Sequence, residues 1–145
     1  MRITQEADYA LRIVYTLARN GIIMDAKTIA DETDVTQRFA LKILRKLTLG
    51  GMVESYKGAH GGYKFLQKPE GTTMLNVIEL IDGPMAISRC IHEEHECSMV
   101  KGECIFHGIF SVINADVAKK LNKIKISDLI PPDFSLAGVL ESMNE

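Results

Sequence analysis

The hydrophobic pattern of this chain changes its period at residues 50–51, which are both glycine. Before this point apolar residues recur about every three to four positions, as they do in amphipathic helices. After it, apolar and polar residues alternate over residues 53–57 and again over residues 63–66, with a glycine-rich stretch between them. Alternation on both sides of such a stretch predicts a two-stranded β-hairpin. The sequence therefore predicts a mainly helical domain that carries one hairpin.

Three amphipathic helices are predicted ahead of the hairpin. The first covers roughly residues 4–19 and the second roughly residues 26–33, with Asp25 as a candidate N-cap. The third begins near Thr36 or Gln37 and stops at residues 50–51, because glycine suits the left-handed conformation that often follows a helix. The residues predicted to face the core are Ala7, Ala10, Leu11, Val14, Leu17, Ala18, Ile29, Ala30, Val35, Ala40, Ile43, Leu44 and Leu47. A short helix, a tight turn and a second helix form a helix-turn-helix, whose second helix lies in the DNA major groove.

Charge is distributed unevenly along the chain, although the formal net charge is only −2. Residues 36–68 contain seven basic side chains and one acidic side chain, whereas the residues from 69 onward contain six basic and twelve acidic ones. A basic segment of this kind is typical of a phosphate-binding surface, and a solvated basic face without a partner is the alternative. The candidate DNA-binding residues are Thr36, Gln37, Arg38, Lys42 and Arg45 on the third helix and Lys57 and His60 in the hairpin. The sequence does not distinguish contacts to bases from contacts to the backbone.

The predicted hairpin has the position of a wing. Its tip, with Lys57 and His60, can reach an adjacent minor groove, and its glycines permit close approach to the sugar-phosphate backbone. The glycine run opens no helix, which excludes a phosphate-binding loop. The predicted fold class is therefore mainly α: a winged helix-turn-helix DNA-binding domain with a two-stranded β wing, followed by a long C-terminal helix.

The chain has three cysteines, Cys90, Cys97 and Cys104, separated by six residues each. Charged residues and two histidines, His92 and His95, lie among them, so the segment is too polar for a core. Thiols in such surroundings are more often ligands or redox groups than inert buried cysteines, which are the alternative. With His107 three positions after the last cysteine, they supply the ligand types that hold iron–sulfur clusters or zinc. An odd number of cysteines also argues against a disulfide framework.

A long amphipathic helix is predicted after the cysteines. Its apolar stripe consists of Phe106, Ile109, Phe110, Ile113, Val117, Leu121 and Ile124. A helix of this length must bury that stripe, either in its own domain or against a second copy of the chain. Beyond it, residues 131–145 follow a break at two prolines and predict a docking helix or a frayed tail.

Several classes of protein are disfavoured by the sequence. No apolar run resembles a signal peptide or approaches the length of a membrane span, so we expect a cytoplasmic protein with no membrane partner. No nucleophile elbow, phosphate loop or paired-carboxylate arrangement is present, so we expect neither an enzyme nor a small-molecule substrate. The predicted organisation is a DNA-binding domain (1–68), a connecting helix with the cysteine loop (69–104), a dimerisation helix and following turn (105–130) and a C-terminal tail (131–145).

The motifs taken together resemble one family of regulators. These motifs are D-Y-A-L-R in the first helix, G-M-V-E-S-Y-K-G-A-H-G-G-Y-K-F in the hairpin, I-E-L-I-D-G-P and then the three-cysteine loop. They are similar to those of the Rrf2 family of winged-helix transcription regulators, which includes IscR-like iron–sulfur regulators and NsrR-like nitric oxide sensors. The resemblance runs from residue 1 to about residue 129 and implies a homodimer that binds a pseudo-palindromic site in double-stranded DNA.

The resemblance also implies a ligand set for an iron–sulfur cluster. Cys90, Cys97 and Cys104 correspond to the three cysteines that hold the cluster in similar regulators, although their spacing here is slightly longer than the common five-residue gaps. His107 corresponds to the histidine ligand of 2Fe-2S IscR-like proteins. Asp8 corresponds to the aspartate that NsrR-like 4Fe-4S sensors take from the partner subunit. His92 and His95 are local competitors, and a structural zinc site with three cysteines and one histidine is a further alternative.

The function expected from this resemblance is cluster-controlled transcription regulation. Cluster chemistry would report nitric oxide, redox state or iron–sulfur status and would change operator binding, for example as a repressor. The alternative is a cluster-free regulator of the same family that is controlled by cysteine thiol oxidation or by a partner metabolic enzyme. The sequence does not select among the signals or the target promoters.

Overall fold

The structure is a computed structural model that describes residues 3–91, 104–132 and 134–145. Its helices and strands follow in chain order as α1 (Gln5–Asn20), α2 (Ala26–Thr33), α3 (Gln37–Leu49), β1 (Val53–Tyr56), β2 (Gly62–Phe65), α4 (Met74–Asp82), α5 (Ile105–Lys123) and α6 (Leu136–Asn144). This mainly helical architecture with one antiparallel hairpin confirms the predicted fold class.

The first three helices begin at side-chain caps. Thr4, Asp25 and Thr36 each adopt an extended backbone and accept a hydrogen bond from the amide three residues ahead, at 3.1, 3.0 and 3.4 Å respectively. The predicted bounds of α2 and its Asp25 cap are confirmed. At the end of α3 the prediction needs a correction, because only Gly51 has the left-handed conformation (φ 70°), whereas Gly50 has φ −79°.

The core lies between α1, α2, α3 and the base of the hairpin. All of the predicted core residues are buried except Leu11 and Ala18, which are partly buried and pack against the core. Ile13 was not predicted, yet it is fully buried. It completes an i, i+3, i+4, i+7 set with Ala10, Val14 and Leu17, so the helical period could have identified it.

The hairpin is attached to the segment before α2. Strands β1 and β2 pair from Val53 opposite Phe65 to Tyr56 opposite Gly62. Tyr63 also exchanges two backbone hydrogen bonds with Met24, at 2.9 and 2.8 Å. A Cβ atom on Gly62 would lie 2.4 Å from the carbonyl oxygen of Met24, so this close approach requires glycine. The wing is therefore fixed to the helix-turn-helix by backbone pairing.

Helix α4 and the end of α5 close the other side of the domain. Helix α4 packs against α1 and α3 and buries Val77 and Ile78. The chain after α5 pairs with the residues before α4, because Ile126 donates its amide to Thr72 O at 2.8 Å and Met74 donates to Ile124 O at 2.9 Å. Ile126 is fully buried in the core that also holds α3, so the end of α5 is joined to the helices of the N-terminal half.

The remainder of α5 is exposed in the single chain. None of its residues is buried, and large apolar side chains are exposed on its first half: Ile105, Phe106, Ile109, Phe110, Val112 and Ile113. Only Ile124, the last member of the predicted stripe, is buried within the chain, and it lies at the C-cap rather than in the helix. Helix α6 packs against α5. Within the parts of the chain that are described, no helix is long and apolar enough to cross a membrane.

Candidate nucleic-acid interface and cysteine site

Helix α3 separates an apolar face from a polar one. Its apolar face holds Ala40, Ile43, Leu44 and Leu47, all of them fully buried. The predicted contact residues of this helix, Gln37, Arg38, Lys42 and Arg45, are all exposed, and Thr36 is exposed at its cap. The helix thus presents amide and cationic groups on one surface, which is the composition that major-groove recognition requires.

An acidic residue of α1 contacts this surface, and the sequence did not reveal it. The carboxylate of Glu6 accepts hydrogen bonds from both Lys42 and Lys46, one on each oxygen. These hydrogen bonds lower the pKa of Glu6 below its usual value of 4.5, and the bond from Lys42 has the larger effect. Lys42 therefore has an intramolecular partner that a DNA phosphate would have to replace, whereas neither Arg38 nor Arg45 forms an ion pair within the described parts of the chain.

The tip of the wing is open to solvent. Lys57 and His60 are both exposed, as an approach to DNA requires. The turn between the strands is closed by a hydrogen bond from the amide of Gly61 to the carbonyl of Gly58 at 3.0 Å. A Cβ atom on Gly61 would lie 2.2 Å from Tyr56 O, so the turn can be this tight only with glycine. Beside it, the Tyr56 hydroxyl donates to Glu54 at 2.7 Å, which raises the pKa of Tyr56.

Two of the three cysteines lie within the described residues. Cys90 is in a short 3-10 turn, Arg89–Ile91, that packs against α5, and Cys104 is the N-cap of α5. Both are half-buried free thiols. Cys97 and the competing histidines His92 and His95 lie outside the described residues. The structure thus places one thiol at each end of the cysteine loop, next to the same helix.

The two candidates for the fourth ligand have different surroundings. His107 is exposed in the first turn of α5, three residues after Cys104, and its imidazole forms no hydrogen bond or ion pair with the described residues. Asp8 is on α1, where it forms an ion pair with Arg12 at 2.8 Å, and both side chains are about half exposed. Asp8 would have to leave Arg12 in order to bind a metal. Within the described residues, no three candidate ligands lie close enough together to hold a metal ion.

The donor set nevertheless fits an iron–sulfur cluster in its chemistry. Thiolates are the usual protein ligands of such clusters, and neither described thiol is consumed by a disulfide or hidden in an apolar core. Cys104 occupies the N-cap of α5 without making a side-chain capping bond. The positive end of the helix dipole favours negative charge at this position, which suits a thiolate ligand. Ser88 Oγ lies 3.2 Å from Cys90 Sγ and can donate to it, a contact of the type that tunes cluster ligands.

Comparison with known proteins relates this chain to transcriptional regulators. Residues 3–132 match the family model described as "Rrf2: Iron-dependent Transcriptional regulator". The HTH-type transcriptional regulator NsrR of Shouchella clausii is 22% identical over 143 residues, which cover 97% of this chain and 96% of that protein.

Two solved structures of regulators are also similar. CymR, the global cysteine regulator of B. subtilis, has a TM-score of 0.73 at 22% identity, with 89% of this chain and 95% of that chain covered. IscR of T. potens has a TM-score of 0.71 at 17% identity, with 89% and 85% covered. At these identities the structural similarity shows a shared fold.

Proposed function

The chain belongs to the Rrf2 family of transcriptional regulators, and we propose that it acts as a cytoplasmic homodimer whose binding to a pseudo-palindromic operator is controlled by an iron–sulfur cluster. The observation that carries this proposal is the position of Cys90 and Cys104. They lie at the two ends of the cysteine loop and next to α5, a helix whose apolar side is unburied in one chain. A change at the thiols is thereby adjacent to the surface that would join two subunits.

The proposed dimer rests on the exposed side chains of α5. Phe106, Ile109, Phe110 and Ile113 repeat at helical spacing and are each more than a third exposed. Contiguous exposed apolar surface of this kind usually marks a protein–protein interface. A twofold axis at α5 would present two copies of α3 to successive major grooves, and this geometry suits a pseudo-palindromic operator.

The proposed cluster site consists of Cys90, Cys97 and Cys104 with a fourth ligand. His107 is the fourth ligand for a 2Fe-2S cluster and Asp8 of a partner subunit is the fourth ligand for a 4Fe-4S cluster. When bound, the cluster supplies a redox- and nitric-oxide-reactive centre whose state sets how the loop is held. The protein's part is to position the thiols and to transmit their arrangement to α5. A hundredfold change in operator affinity requires the two states to differ by about 2.7 kcal/mol.

Thiol oxidation is the second candidate for the control step. The half-buried exposure of the free thiols Cys90 and Cys104 favours it, because oxidisable thiols must be accessible. In this case the protein would be colourless, and peroxide alone would change operator binding.

One experiment distinguishes these functions. The protein is purified without oxygen, its visible absorption, iron and acid-labile sulfide are measured, and its operator affinity is then determined by fluorescence anisotropy. About two irons per chain support the site with His107, and about four support the site with Asp8. A protein that stays iron-free after reconstitution with ferrous iron and sulfide, and whose operator affinity responds to peroxide, supports thiol control. Failure to bind DNA in every state would contradict both.

A further inference from the structure

Asn114 makes a two-point contact between α5 and the chain that leads to Cys90. Its Oδ1 accepts the backbone amide of Ile87 at 2.9 Å, and its Nδ2 donates to the carbonyl of Met85 at 3.1 Å. The side chain thus pairs with one backbone donor and one backbone acceptor of the same short segment. Both bonds are partly buried, so water competes with them less than it would at the surface.

The contact joins the two chain segments that lie on either side of the cysteine loop in sequence. Ile87 precedes Cys90 by three residues, and Asn114 follows Cys104 by ten residues on α5. The segment begins at Gly83, which ends α4 with φ 82°. A further side-chain bond holds it, because the Met85 amide donates to Glu79 at 3.1 Å. Asn114 therefore ties the chain that enters the loop to the helix that leaves it.

The other side of this segment has room for movement. Residues 83–86 line an open cleft of about 240 Å³ that is bounded by Ile3 and Thr4 at the start of α1 and by Leu121 of α5. The segment is half-buried rather than packed in the core. Its attachment to α5 consequently depends on directed hydrogen bonds more than on close packing.

We propose that Asn114 is the positioning residue that couples the cysteine loop to α5, an inference that rests on the proposed control of operator binding by that loop. While its amide holds residues 85–87, a displacement of Cys90 relative to Cys104 moves α5. Because the chain after α5 pairs with Thr72 and Met74 and buries Ile126 in the core, a shift of α5 reaches the domain that carries α3. Without the amide, Cys90 can move relative to Cys104 and leave α5 in place.

The test compares Asn114→Ala and Asn114→Asp with wild type. Asn114→Asp keeps the side chain's shape and its acceptor for Ile87 but loses the donor to Met85. Lys119→Ala is the control, since Lys119 is an exposed residue of the same helix and takes no part in the pairing with residues 72–74. Each protein is prepared after reconstitution with ferrous iron and sulfide and after chelation with EDTA. The first measurement is hydrogen–deuterium exchange at the Ile87 amide, and the second is the ratio of operator affinities in the two states.

We expect Asn114→Ala to accelerate exchange at Ile87 by about tenfold and to reduce the ratio of operator affinities by about fivefold or more. Asn114→Asp should retain slow exchange at Ile87 and part of the difference in operator affinity between the two states. Lys119→Ala should match wild type in both measurements. An unchanged ratio in Asn114→Ala overturns the coupling, whatever the exchange shows. If wild-type protein has the same operator affinity after reconstitution and after chelation, the proposed cluster control is overturned and the coupling with it. Failure of the coupling alone is therefore distinguishable from failure of the proposed function.

Discussion

At the scale of single residues, Arg38 and Lys42 are not equivalent although both are exposed on α3. Lys42 shares the carboxylate of Glu6 with Lys46, so contact with a phosphate would require that ion pair to be exchanged. Arg38 has no ion-pair partner in the described parts of the chain, and its guanidinium can form bidentate contacts with guanine or phosphate. The two residues should therefore differ in what they contribute to operator binding.

Arg38→Ala should weaken operator binding by about 1–3 kcal/mol, and Lys42→Ala should weaken it less. The reason is that the Lys42 contact must offset the loss of its bond to Glu6. Anisotropy titrations at several salt concentrations measure both the affinity and the number of phosphates neutralised. Lys119→Ala, an exposed lysine on α5, is the control that removes the same charge away from α3. A larger loss for Lys42→Ala than for Arg38→Ala would contradict this order.

The Glu6 ion pair predicts a pH dependence of stability. Since the pKa of Glu6 is lowered in the folded protein, the group stabilises the fold at pH values above 4.5, its usual value. This contribution is lost as the pH falls through the lower folded pKa. Glu6→Gln should consequently be less stable than wild type at neutral pH, and the difference should shrink on acidification. Thermal melts at about pH 7 and about pH 3 measure it. Glu70→Gln, on the exposed turn before α4, is the control for the removal of one carboxylate.

At the scale of secondary-structure elements, α5 has an apolar sequence but an exposed position in the single chain. Its apolar side chains are exposed near its start, while its C-terminal end joins the core through Ile124 and Ile126. Exposing this much apolar surface to water is unfavourable for the free energy of a single chain. The two halves of α5 therefore have different roles: one attaches the helix to its own domain, and the other is available to a second copy.

Ile109→Glu should convert the proposed dimer into monomers and should weaken operator binding. Ile109 is 54% exposed in the centre of the apolar stripe, so a carboxylate there costs little in the folded monomer but would be desolvated at an interface. Sedimentation velocity measures the oligomeric state. Ala115→Glu adds the same charge on the opposite side of the helix and should leave the dimer intact. A dimeric Ile109→Glu protein would exclude this face as the interface.

At the scale of the whole molecule, the proposed switch connects three regions that are distant in sequence. The short turn that holds Cys90 packs against α5, the end of α5 pairs with the chain before α4, and α4 packs against α1 and α3. Each step is a packed or hydrogen-bonded contact between ordered elements. The arrangement of the thiols can therefore influence α3 without direct contact.

Cys97→Ala should abolish iron incorporation and leave the protein folded and dimeric. The reason is that three thiolates hold the proposed cluster, whereas the proposed dimer rests on the apolar side chains of α5. The iron content tests the loss of the cluster, whereas sedimentation and thermal melting test whether the protein remains dimeric and folded. Loss of the dimer together with the metal would instead indicate a structural site, such as zinc.

The sequence by itself determined the elements and their buried faces, because these depend on interactions between residues close together in the chain. Periodicity, the Asp25 cap and the glycines of residues 50–51 predicted α1 to α3, and alternation predicted the hairpin. The motifs predicted the family that the comparison then showed. The DNA-binding residues and the cluster ligands remain predictions, since exposure on α3 or at the wing tip permits a contact without demonstrating it.

Only the tertiary structure decided which side chains meet across the chain. Glu6 reaches Lys42 over 36 positions, Asn114 reaches Ile87 over 27, and Met24 pairs with Tyr63 on the wing. None of these pairs has a local signature, because each depends on how helices and hairpin pack around the core. The same packing left the first half of α5 exposed and buried its end. Periodicity marks an apolar stripe, but only the positions of the neighbouring elements determine which part of it remains available to a partner.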